Sequence, residues 1–413
     1  MWRMIAALEG RKDIEIVVYT GDCGASPEQI LQKAKNQFGI SLDSSSVKFV
    51  YLRGRKLIEA KSWPRFTMFG QSFGSLILGL EALLKHCPHI YIDSMGYAFT
   101  FPIFSLLGGC YVGAYVHYPT ISNDMLEKVS TGSASFNNDP NIARSTIKTT
   151  IKIWYYKIFA FFYWLVGQFC VVVMVNSTWT KNHIKARWTP KSIHTIFPPT
   201  DCTNLKKFEL KNREKIIVSI GQFRPEKNHA LQLRAFAKFM EGCTEKDEVK
   251  LVLIGSVREH ESEDLKRFQG LQQLAKELGI EENVVFAKNI TDNEKKMWLS
   301  RALIGIHTMA HEHFGIGVVE FMAAGLIPVA HNSAGPKEDI VVPFNNQPTG
   351  FLATNEAEYA EHIQYILTHP SQALQIQTNA RSSISRFSDE AFTKEILVAL
   401  STFPPLMHIK KKT

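Results

Sequence analysis

The stretch "ALIGIHTMAHEHFGIGVVEFMAAGLIPVAHN", residues 302–332, contains a strand pattern, a glycine-bearing turn, a helix pattern and a second strand pattern. The runs 302–308 and 327–332 have the apolar, β-branched composition of buried strands. The alanine-rich run between them begins near Ile316 and has the amphipathic composition of a helix. A strand, a helix and a strand joined by short turns predict parallel strands in an α/β fold.

The same alternation recurs along the 413 residues. The other predicted strands are 14–20, 47–52, 90–93, 113–118 and 171–176, followed by 215–223, 249–255 and 284–289. A proline-led polar segment, 197–215, separates the two series. We therefore predict two Rossmann-like, doubly wound parallel-sheet domains, 1–200 and 201–413, which face a cleft at the carboxyl ends of their strands.

Composition excludes several classes of protein. With 45% hydrophobic and 21% charged residues the chain is not disordered, and its six cysteines are scattered without a CxxC pair. This cysteine pattern argues against a disulfide framework or a zinc site and favours a reducing compartment. The first residues contain no secretory signal pattern.

Positive charge is concentrated in one region. Between Pro140 and Thr200 there is no Asp or Glu but eight Lys and Arg residues, as many as the net charge of +8. Arg144, Lys148 and Lys152 recur four residues apart with apolar residues between them, which is typical of a basic amphipathic helix on an anionic membrane. Nucleic acid is the rival partner. The adjoining uncharged apolar run, 158–175, favours the membrane, and we expect no nucleic acid.

That apolar run allows two interpretations. Its length alone is enough for a transmembrane helix. However, the part before Gly167 is aromatic with helical spacing, whereas Cys170 to Val175 is a β-branched run. We favour an interfacial aromatic helix followed by a buried strand over a membrane-spanning helix.

The motif "GIGVVE", 315–320, is a near match to the dinucleotide fingerprint, but Glu320 occupies the place of its third small residue and argues against NAD. Gly315 and Gly317 still permit close approach of an anion to the helix that begins near Ile316. One turn later, Glu320 can accept hydrogen bonds from a ribose. Glu312, before the helix, can face a sugar beyond the phosphates.

Cations for such an anion come from "SIGQFRPEKNH", 219–229. Gly221 provides a tight turn and Pro225 starts a helix, so Arg224 and Lys227 can reach a diphosphate from one side. An Arg/Lys pair on a turn, or two Glu residues eight positions apart, more often lies on a solvated surface without a ligand. Their combination at successive strand-to-helix turns predicts a site for a nucleotide sugar.

The two motifs "EHFGIGVVE" and "GQFRPEKN" resemble those of retaining GT-B glycosyltransferases. More closely, "DSMGYAFTFP", "YVHYPTIS", "VVMVNSTWT" and residues 311–343 resemble the family of eukaryotic GDP-mannose:glycolipid α-1,2-mannosyltransferases, along nearly the whole chain. This family adds the fourth and fifth mannoses to trimannosyl-chitobiose-diphosphodolichol. The resemblance implies a membrane-facing acceptor domain at 1–200 and a nucleotide-sugar domain at 201–413.

Site residues follow from the same resemblance. It implies that Arg224 and Lys227 hold the GDP diphosphate, that Glu320 holds the ribose and that Glu312 contacts the mannose. The donor-binding residues implied by the two motifs also include Gly221, Phe314, Gly315, Ile316 and Gly317. His117 of "VHYP" matches a histidine that contacts the donor sugar, although on sequence alone a strand-capping core histidine is the simpler interpretation.

The resemblance also implies mechanism and location. The α configuration of the mannose would be retained by same-face attack of the acceptor hydroxyl, with no metal or other cofactor, since cations and the helix dipole can stabilise the departing GDP. The implied partners are GDP-mannose, the dolichol-linked oligosaccharide, the membrane surface through segment 144–170, and other mannosyltransferases of the pathway. The implied location is the cytosolic face of the endoplasmic reticulum membrane.

Family members begin with a membrane anchor, a first strand and a glycine-rich turn, whereas this sequence starts in what resembles the following helix. The expectation is an N-terminally truncated chain whose first sheet lacks an interior strand. Two alternatives therefore stay open. One is a catalytically impaired chain that binds within a mannosyltransferase complex, and the other is a soluble glycosyltransferase that acts on a sugar phosphate.

Overall fold

The computed structural model describes residues 1–11, 13–121, 146–200 and 202–406, with the backbone alone at 146–149. Its strands are β1 Ile16–Thr20, β2 Val47–Tyr51, β3 Ile90–Asp93, β4 Tyr111–Val116, β5 Cys170–Val175, β6 Ser192–Thr195, β7 Glu214–Ile220, β8 Lys250–Gly255, β9 Val284–Lys288, β10 Ala302–His307, β11 Ile327–His331 and β12 Phe351–Ala353. Its α-helices are α1 Trp2–Leu8, α2 Pro27–Phe38, α3 Thr67–Lys85, α4 Thr146–Gly167, α5 Thr178–Lys185, α6 His229–Glu241, α7 Ser262–Glu277, α8 Asp292–Arg301, α9 Ile316–Ala324, α10 Glu356–Thr368, α11 Pro370–Ser383 and α12 Asp389–Leu400.

The chain forms two compact units, and their borders differ from the predicted 1–200 and 201–413. The first unit comprises Met1–Asn176, Thr180–Ile196 and the C-terminal segment from Phe392, and the second comprises Ser177–Trp179 and Phe197–Ala391. The C-terminal segment belongs to the first unit because Phe392 and Ile396 of α12 are buried in one apolar cluster with Val172 and Met174 of β5. The free energy gained by burying the apolar face of α12 therefore decides which unit the helix joins, although the preceding residues belong to the second unit.

The first unit contains two parallel sheets. One consists of β1 and β2, and the other has the order β3-β4-β5-β6. All five strands predicted in this half are confirmed to within about two residues. β6 was not predicted, because the sequence "SIHT" is short and half polar.

The second unit is built on one parallel sheet of order β12-β11-β10-β7-β8-β9. The chain runs from the central β7 outward through β8 and β9, and then returns to place β10 on the other side of β7. The strand order therefore reverses between β7 and β10, and in doubly wound sheets ligands bind at the carboxyl ends of the strands at such a switch point. All five predicted strands are confirmed; the three-residue β12 was too short to predict.

The apolar run 158–175 is not a single helix. α4 ends at Gly167 and the buried β5 begins at Cys170, as the interpretation of a helix followed by a strand predicts. Gly167 is required there, since a Cβ would lie 2.0 Å from the ring of Trp188. Arg144 and the side chain of Lys148 lie outside the described residues. In the described part of the chain, α3 alone is long and apolar enough to cross a membrane, judged by length and composition.

Candidate functional site

The predicted donor residues of the second unit gather at the switch point between β7 and β10. The turn after β7 carries Gly221, whose amide donates to the carbonyl of Ile254 at 2.9 Å. The chain then enters a short 3-10 helix, Pro225–Lys227, and Asn228 takes a left-handed φ of 49° before α6 begins. A Cβ on Gly221 would lie 3.4 Å from the Lys227 side chain, so a glycine there leaves room for that side chain to fold over the turn.

The end of β10 holds this turn in place. The hydroxyl of Thr308 donates to the carbonyls of Lys227 and Asn228 at 2.9 and 3.1 Å. That hydroxyl in turn accepts a hydrogen bond from the amide of Gln232 on α6. The backbone of Lys227 is therefore positioned by β10, although the two are 81 residues apart in sequence.

The side chains meet in a partly buried ionic network. Lys227 Nζ donates to Glu312 Oε2 at 2.6 Å, and His307 Nε2 lies 3.2 Å from the same oxygen. The Glu312 side chain is 15% exposed and that of Lys227 is 26% exposed. The backbone of Glu312 is fixed as well, because its carbonyl accepts from the amide of Gly335 at 3.0 Å. Two residues predicted to contact different parts of one donor are thus joined directly.

Burial and charge act in opposite directions on this network. Desolvation would raise the pKa of Glu312, but the hydrogen bond from His307 and the charge of Lys227 outweigh it and lower the pKa to about 2. The neighbouring His229 is buried, and desolvation together with the Lys227 charge lowers its pKa to about 4. At neutral pH the site therefore presents an ionised carboxylate beside an ammonium group and a neutral histidine.

The N-terminus of α9 opens at the same edge of the sheet. Gly315 precedes the helix with φ of 111°, a conformation that other residues adopt only with strain. Phe314 is buried against Phe197 and Phe387, which anchors the loop. The first intrahelical bonds run from Val318 and Val319 to the carbonyl of Gly315, so the amides before them have no intrahelical partner, as at any helix N-terminus. Ile316 is exposed.

Gly317 has no close neighbours: a Cβ added to it would lie 3.8 Å from its nearest atom, the carbonyl oxygen of Ile220. Glu320, one turn later, accepts from Lys295 Nζ at 3.2 Å. Lys295 also borders a cavity of about 460 Å³ at the carboxyl ends of β7, β8 and β9. Asn289, Thr291 and Asp292 also line this cavity.

Arg224 and His117 do not belong to this network. Arg224 is 44% exposed, and its Nη1 lies 4.0 Å from Glu226 Oε1. His117 lies in the first unit, directly after β4, with its ring 5.0 Å from that of Tyr115. Desolvation by surrounding side chains lowers the pKa of His117, although one side of the residue is open to solvent.

Three residues of the site were missed by sequence reasoning: His307, Lys295 and Asp292. His307 ends a strand that was correctly predicted, and the rule that ligands bind at the carboxyl ends of strands would have identified it. Asp292 follows a predicted strand and opens a helix, which is the same signal. Lys295 lacks such a signal, because its contact with Glu320 depends on how α8 packs against α9.

Comparison with protein families assigns both halves of the chain. Residues 1–188 match the family described as ALG11 mannosyltransferase N-terminus, and residues 202–383 match the family Glycosyl transferases group 1. A Dictyostelium discoideum protein is 49% identical over 93% of this chain and 77% of its own length. Its name is GDP-Man:Man(3)GlcNAc(2)-PP-Dol alpha-1,2-mannosyltransferase. Proteins with that name from Xenopus laevis and Homo sapiens are 50% and 48% identical, over 97% and 95% of this chain and 83% and 81% of their own lengths.

Solved structures agree in fold. A glycosyltransferase from Rickettsia africae superposes with a TM-score of 0.64 at 15% identity, covering 100% of this chain and 94% of its own. The Anabaena protein HepE, in complex with UDP and glucose, has a TM-score of 0.60 at 17% identity and covers 94% of this chain and 100% of its own. Both likenesses support the predicted GT-B fold class, with parallel sheets in both units.

Proposed function

Because the chain belongs to the family of GDP-Man:Man(3)GlcNAc(2)-PP-Dol alpha-1,2-mannosyltransferases, we propose that it transfers mannose from GDP-mannose to trimannosyl-chitobiose-diphosphodolichol. It adds the fourth and fifth mannoses in α-1,2 linkage with retention of configuration. The observation that carries this proposal is the network of Lys227, Glu312 and His307 at the switch point of the second unit.

Lys227 is the cation for the donor diphosphate. Its ammonium group is paired with a single carboxylate oxygen, and it has further donors to offer to phosphate oxygens. The amides at the start of α9 lie at the same edge and favour negative charge. Arg224 is exposed and able to swing onto the diphosphate from solvent. Together these groups stabilise the charge that develops on GDP as the glycosidic bond breaks, and the reaction needs no metal.

The nucleoside lies further along the same edge. Glu320 accepts hydrogen bonds from the ribose, and Lys295 holds its carboxylate in position. The base occupies the cavity of about 460 Å³ beside β8 and β9. Guanine presents two neighbouring N–H donors, and Asp292 on the cavity wall is the acceptor that matches them. This contact would distinguish guanine from uracil.

Glu312 and His307 serve the mannose. A carboxylate kept ionised at neutral pH accepts hydrogen bonds from sugar hydroxyls, and it favours positive charge developing at the anomeric carbon. His307 fixes the orientation of that carboxylate from the end of β10. In the first unit, His117 is the candidate contact with the donor sugar. The acceptor hydroxyl attacks from the face that GDP leaves.

The lipid-linked acceptor requires a membrane, and the first unit exposes a surface suited to one. Phe69 of α3 packs against Tyr155 and Phe159 of α4, so the two helices form one continuous face. Its exposed apolar residues are Phe73, Ile77, Leu80, Leu84, Ile151, Trp154, Ile158, Phe161, Phe162, Trp164 and Leu165. Lys157 lies over the ring of Trp154 at 5.6 Å, an arrangement typical of membrane interfaces. We place this face on the cytosolic leaflet of the endoplasmic reticulum, where other mannosyltransferases of the pathway are partners.

The test is mannose transfer from GDP-mannose to a synthetic lipid-linked trimannosyl acceptor in vesicles. The wild-type chain should form the extended products, and Glu312→Gln should reduce transfer at least 100-fold. Glu356→Gln, which alters an exposed ion pair with Arg234, is the matched control and should leave transfer unchanged. GDP-mannose binding without any transfer would favour a partner role in a complex. Transfer to a soluble sugar phosphate alone would favour the second alternative.

A further inference from the structure

The turn that follows β11, residues 332–335, holds the loop that carries Glu312. The amide of Gly335 donates to the carbonyl of Glu312 at 3.0 Å. The amide of His311 donates to the hydroxyl oxygen of Ser333 at 2.9 Å. The loop is therefore bonded to the turn on both sides of the peptide that joins His311 to Glu312.

The backbone of the loop is strained at His311. Its φ is 58°, in the left-handed region that residues with a Cβ adopt only at a cost in free energy. Non-glycine residues stay in this region only when surrounding contacts hold them there, and they cluster at active sites and ligand clamps. Because His311 directly precedes Glu312, a relaxation of its φ would move the Glu312 carboxylate.

The turn is a suitable support because it is fixed on two sides. The amide of Asn332 donates to the carbonyl of Ala353, at the end of β12, at 2.9 Å. On the side of the loop, a Cβ on Gly335 would lie 2.3 Å from the carbonyl oxygen of Phe314 and 2.6 Å from its Cα. The turn is thus bonded to the sheet and packed backbone to backbone against the loop.

The hydroxyl group of Ser333 is itself oriented. Its oxygen lies 2.8 Å from Nδ1 of His331, the last residue of β11. Burial, followed by the charges of His311 and His307, lowers the pKa of His331, so its ring is neutral at neutral pH. A hydroxyl has one hydrogen to donate and two lone pairs. Ser333 can therefore donate to the neutral ring of His331 and accept from the amide of His311 at the same time.

The carboxylate of Glu312 depends on this support for its position. Lys227 Nζ and His307 Nε2 approach a single oxygen, Oε2, at 2.6 and 3.2 Å. Both partners belong to other segments of the chain, so a change of φ at His311 would alter both contacts. Misplacement of a reacting group by about 1 Å can slow an enzyme by roughly 100-fold.

We propose that Ser333 is a positioning residue for Glu312. Its hydroxyl holds His311 in the left-handed conformation and thereby keeps the carboxylate against Lys227 and His307. Ser333 acts through the backbone and not by contact with the donor. Its effect on rate rests on the proposed mannose transfer, whereas its effect on the loop needs no substrate.

The first test compares kcat with GDP binding. Ser333→Ala should lower kcat for mannose transfer at least ten-fold. The dissociation constant of GDP, measured by calorimetry, should change less than about three-fold, because Lys227 and Glu320 are the groups proposed to hold the diphosphate and the ribose. Ser382→Ala, which removes a hydroxyl bonded to Thr378 within α11, is the matched control and should leave both quantities unchanged.

Two results of this comparison would overturn the proposal. One is a kcat in Ser333→Ala equal to that of wild type. The other is a loss of GDP affinity as large as the loss of kcat, which would make Ser333 a donor contact.

Rescue by glycine tests how Ser333 acts. In the Ser333→Ala protein, His311→Gly should give a kcat at least three-fold higher than His311→Ala, since glycine adopts a φ of 58° without the steric cost of a Cβ. Both replacements remove the imidazole of His311 with its contacts, so the comparison isolates the effect of the Cβ. Equal kcat values in the two double variants would contradict a role in holding the strained backbone.

Hydrogen exchange separates this proposal from the proposed function. In the ligand-free protein, the amide of His311 should exchange at least ten-fold faster in Ser333→Ala than in wild type. If the exchange rate rises but the wild type transfers no mannose, the proposed function fails and the support of the loop by Ser333 stands. If the wild type transfers mannose but the exchange rate is unchanged, the positioning role fails.

Single variants decide the matter if Ser333→Ala does not fold. His311→Gly should unfold at a higher urea concentration than His311→Ala, because only the glycine relieves the left-handed strain. Equal urea midpoints would show that the backbone at His311 needs no support, and would overturn the proposal.

Discussion

Replacing Glu312 by Gln should lower stability by an amount that depends on pH. The wild-type carboxylate has a pKa of about 2 in the folded protein against 4.5 for the free group. A difference of roughly 2.5 pH units corresponds to about 3 kcal/mol of stability supplied by the ionised form. Since the side chain is 15% exposed, solvent screens little of this. Glutamine keeps the shape and a hydrogen-bond acceptor but loses the charge, so the variant should forfeit most of that contribution at pH 7.

The pH window follows from the direction of the shift. A lowered pKa means that the contribution is complete above pH 4.5 and is lost as pH falls toward 2. The advantage of wild type over Glu312→Gln should therefore be about 3 kcal/mol at pH 7 and smaller by about 1.4 kcal/mol at pH 3.5. The difference in free energy of unfolding is measured by urea unfolding of both proteins at the two pH values, monitored by tryptophan fluorescence. Titrating groups that do not interact with Glu312 are common to both proteins and cancel in the difference.

The matched control is Glu214→Gln, which alters an exposed pair between Glu214 and Arg301. Exposed pairs contribute less than about 1 kcal/mol, so this variant should remain near wild type at both pH values. A Glu312→Gln protein as stable as wild type at pH 7 would refute the reasoning. So would a stability difference that stays the same at pH 3.5, because the loss would then come from shape and not from charge.

Four further predictions address the proposed donor site and the proposed membrane face. Gly315→Ala should cost about 1–2 kcal/mol of stability, because φ of 111° strains a residue with a Cβ, and it should weaken GDP binding in calorimetry. Asp292→Asn should raise KM for GDP-mannose at least ten-fold with little change in kcat. The variant should also discriminate less between GDP and UDP as inhibitors, measured as the ratio of their inhibition constants. If that ratio is the same as in wild type, Asp292 does not contact the base. Transfer should persist in EDTA, and loss that is restored by a divalent cation would contradict a metal-free reaction. Replacing Trp154 and Trp164 by Ser should reduce sedimentation with anionic vesicles at least five-fold, whereas Trp298→Ser, in the second unit, should not.

Sequence reasoning identified the βα turns that build the proposed donor site but not the contacts between them. Lys227 and Glu312 were assigned from motifs 85 residues apart, one to the diphosphate and one to the sugar, and the structure joins them in an ion pair. His307 could have been identified by its place at the end of β10. Arg224 was expected to reach the diphosphate beside Lys227; in the structure its side chain is 44% exposed and its Nη1 lies 4.0 Å from Glu226 Oε1.

Domain borders were harder to predict for a different reason. The segment 197–215 has the composition of a linker, and the crossing into the second unit at Phe197 agrees with it. Nothing local marks the return of α12 to the first unit. That return depends on an apolar helix face whose partners lie on β5, more than 200 residues earlier in the chain.

The sequence by itself determined the α/β class, ten of the twelve strands in the described residues, the division of 158–175 at Gly167 and the glycines of the strand-to-helix turns. These features are local, since they depend on hydrophobic periodicity, turn residues and backbone freedom within a few positions. Only the tertiary structure decided the strand order, the ion pair between Lys227 and Glu312 and the attachment of α12. Each of these arises where segments distant in sequence exclude water from a shared surface, and the pattern of one segment carries no information about its partner.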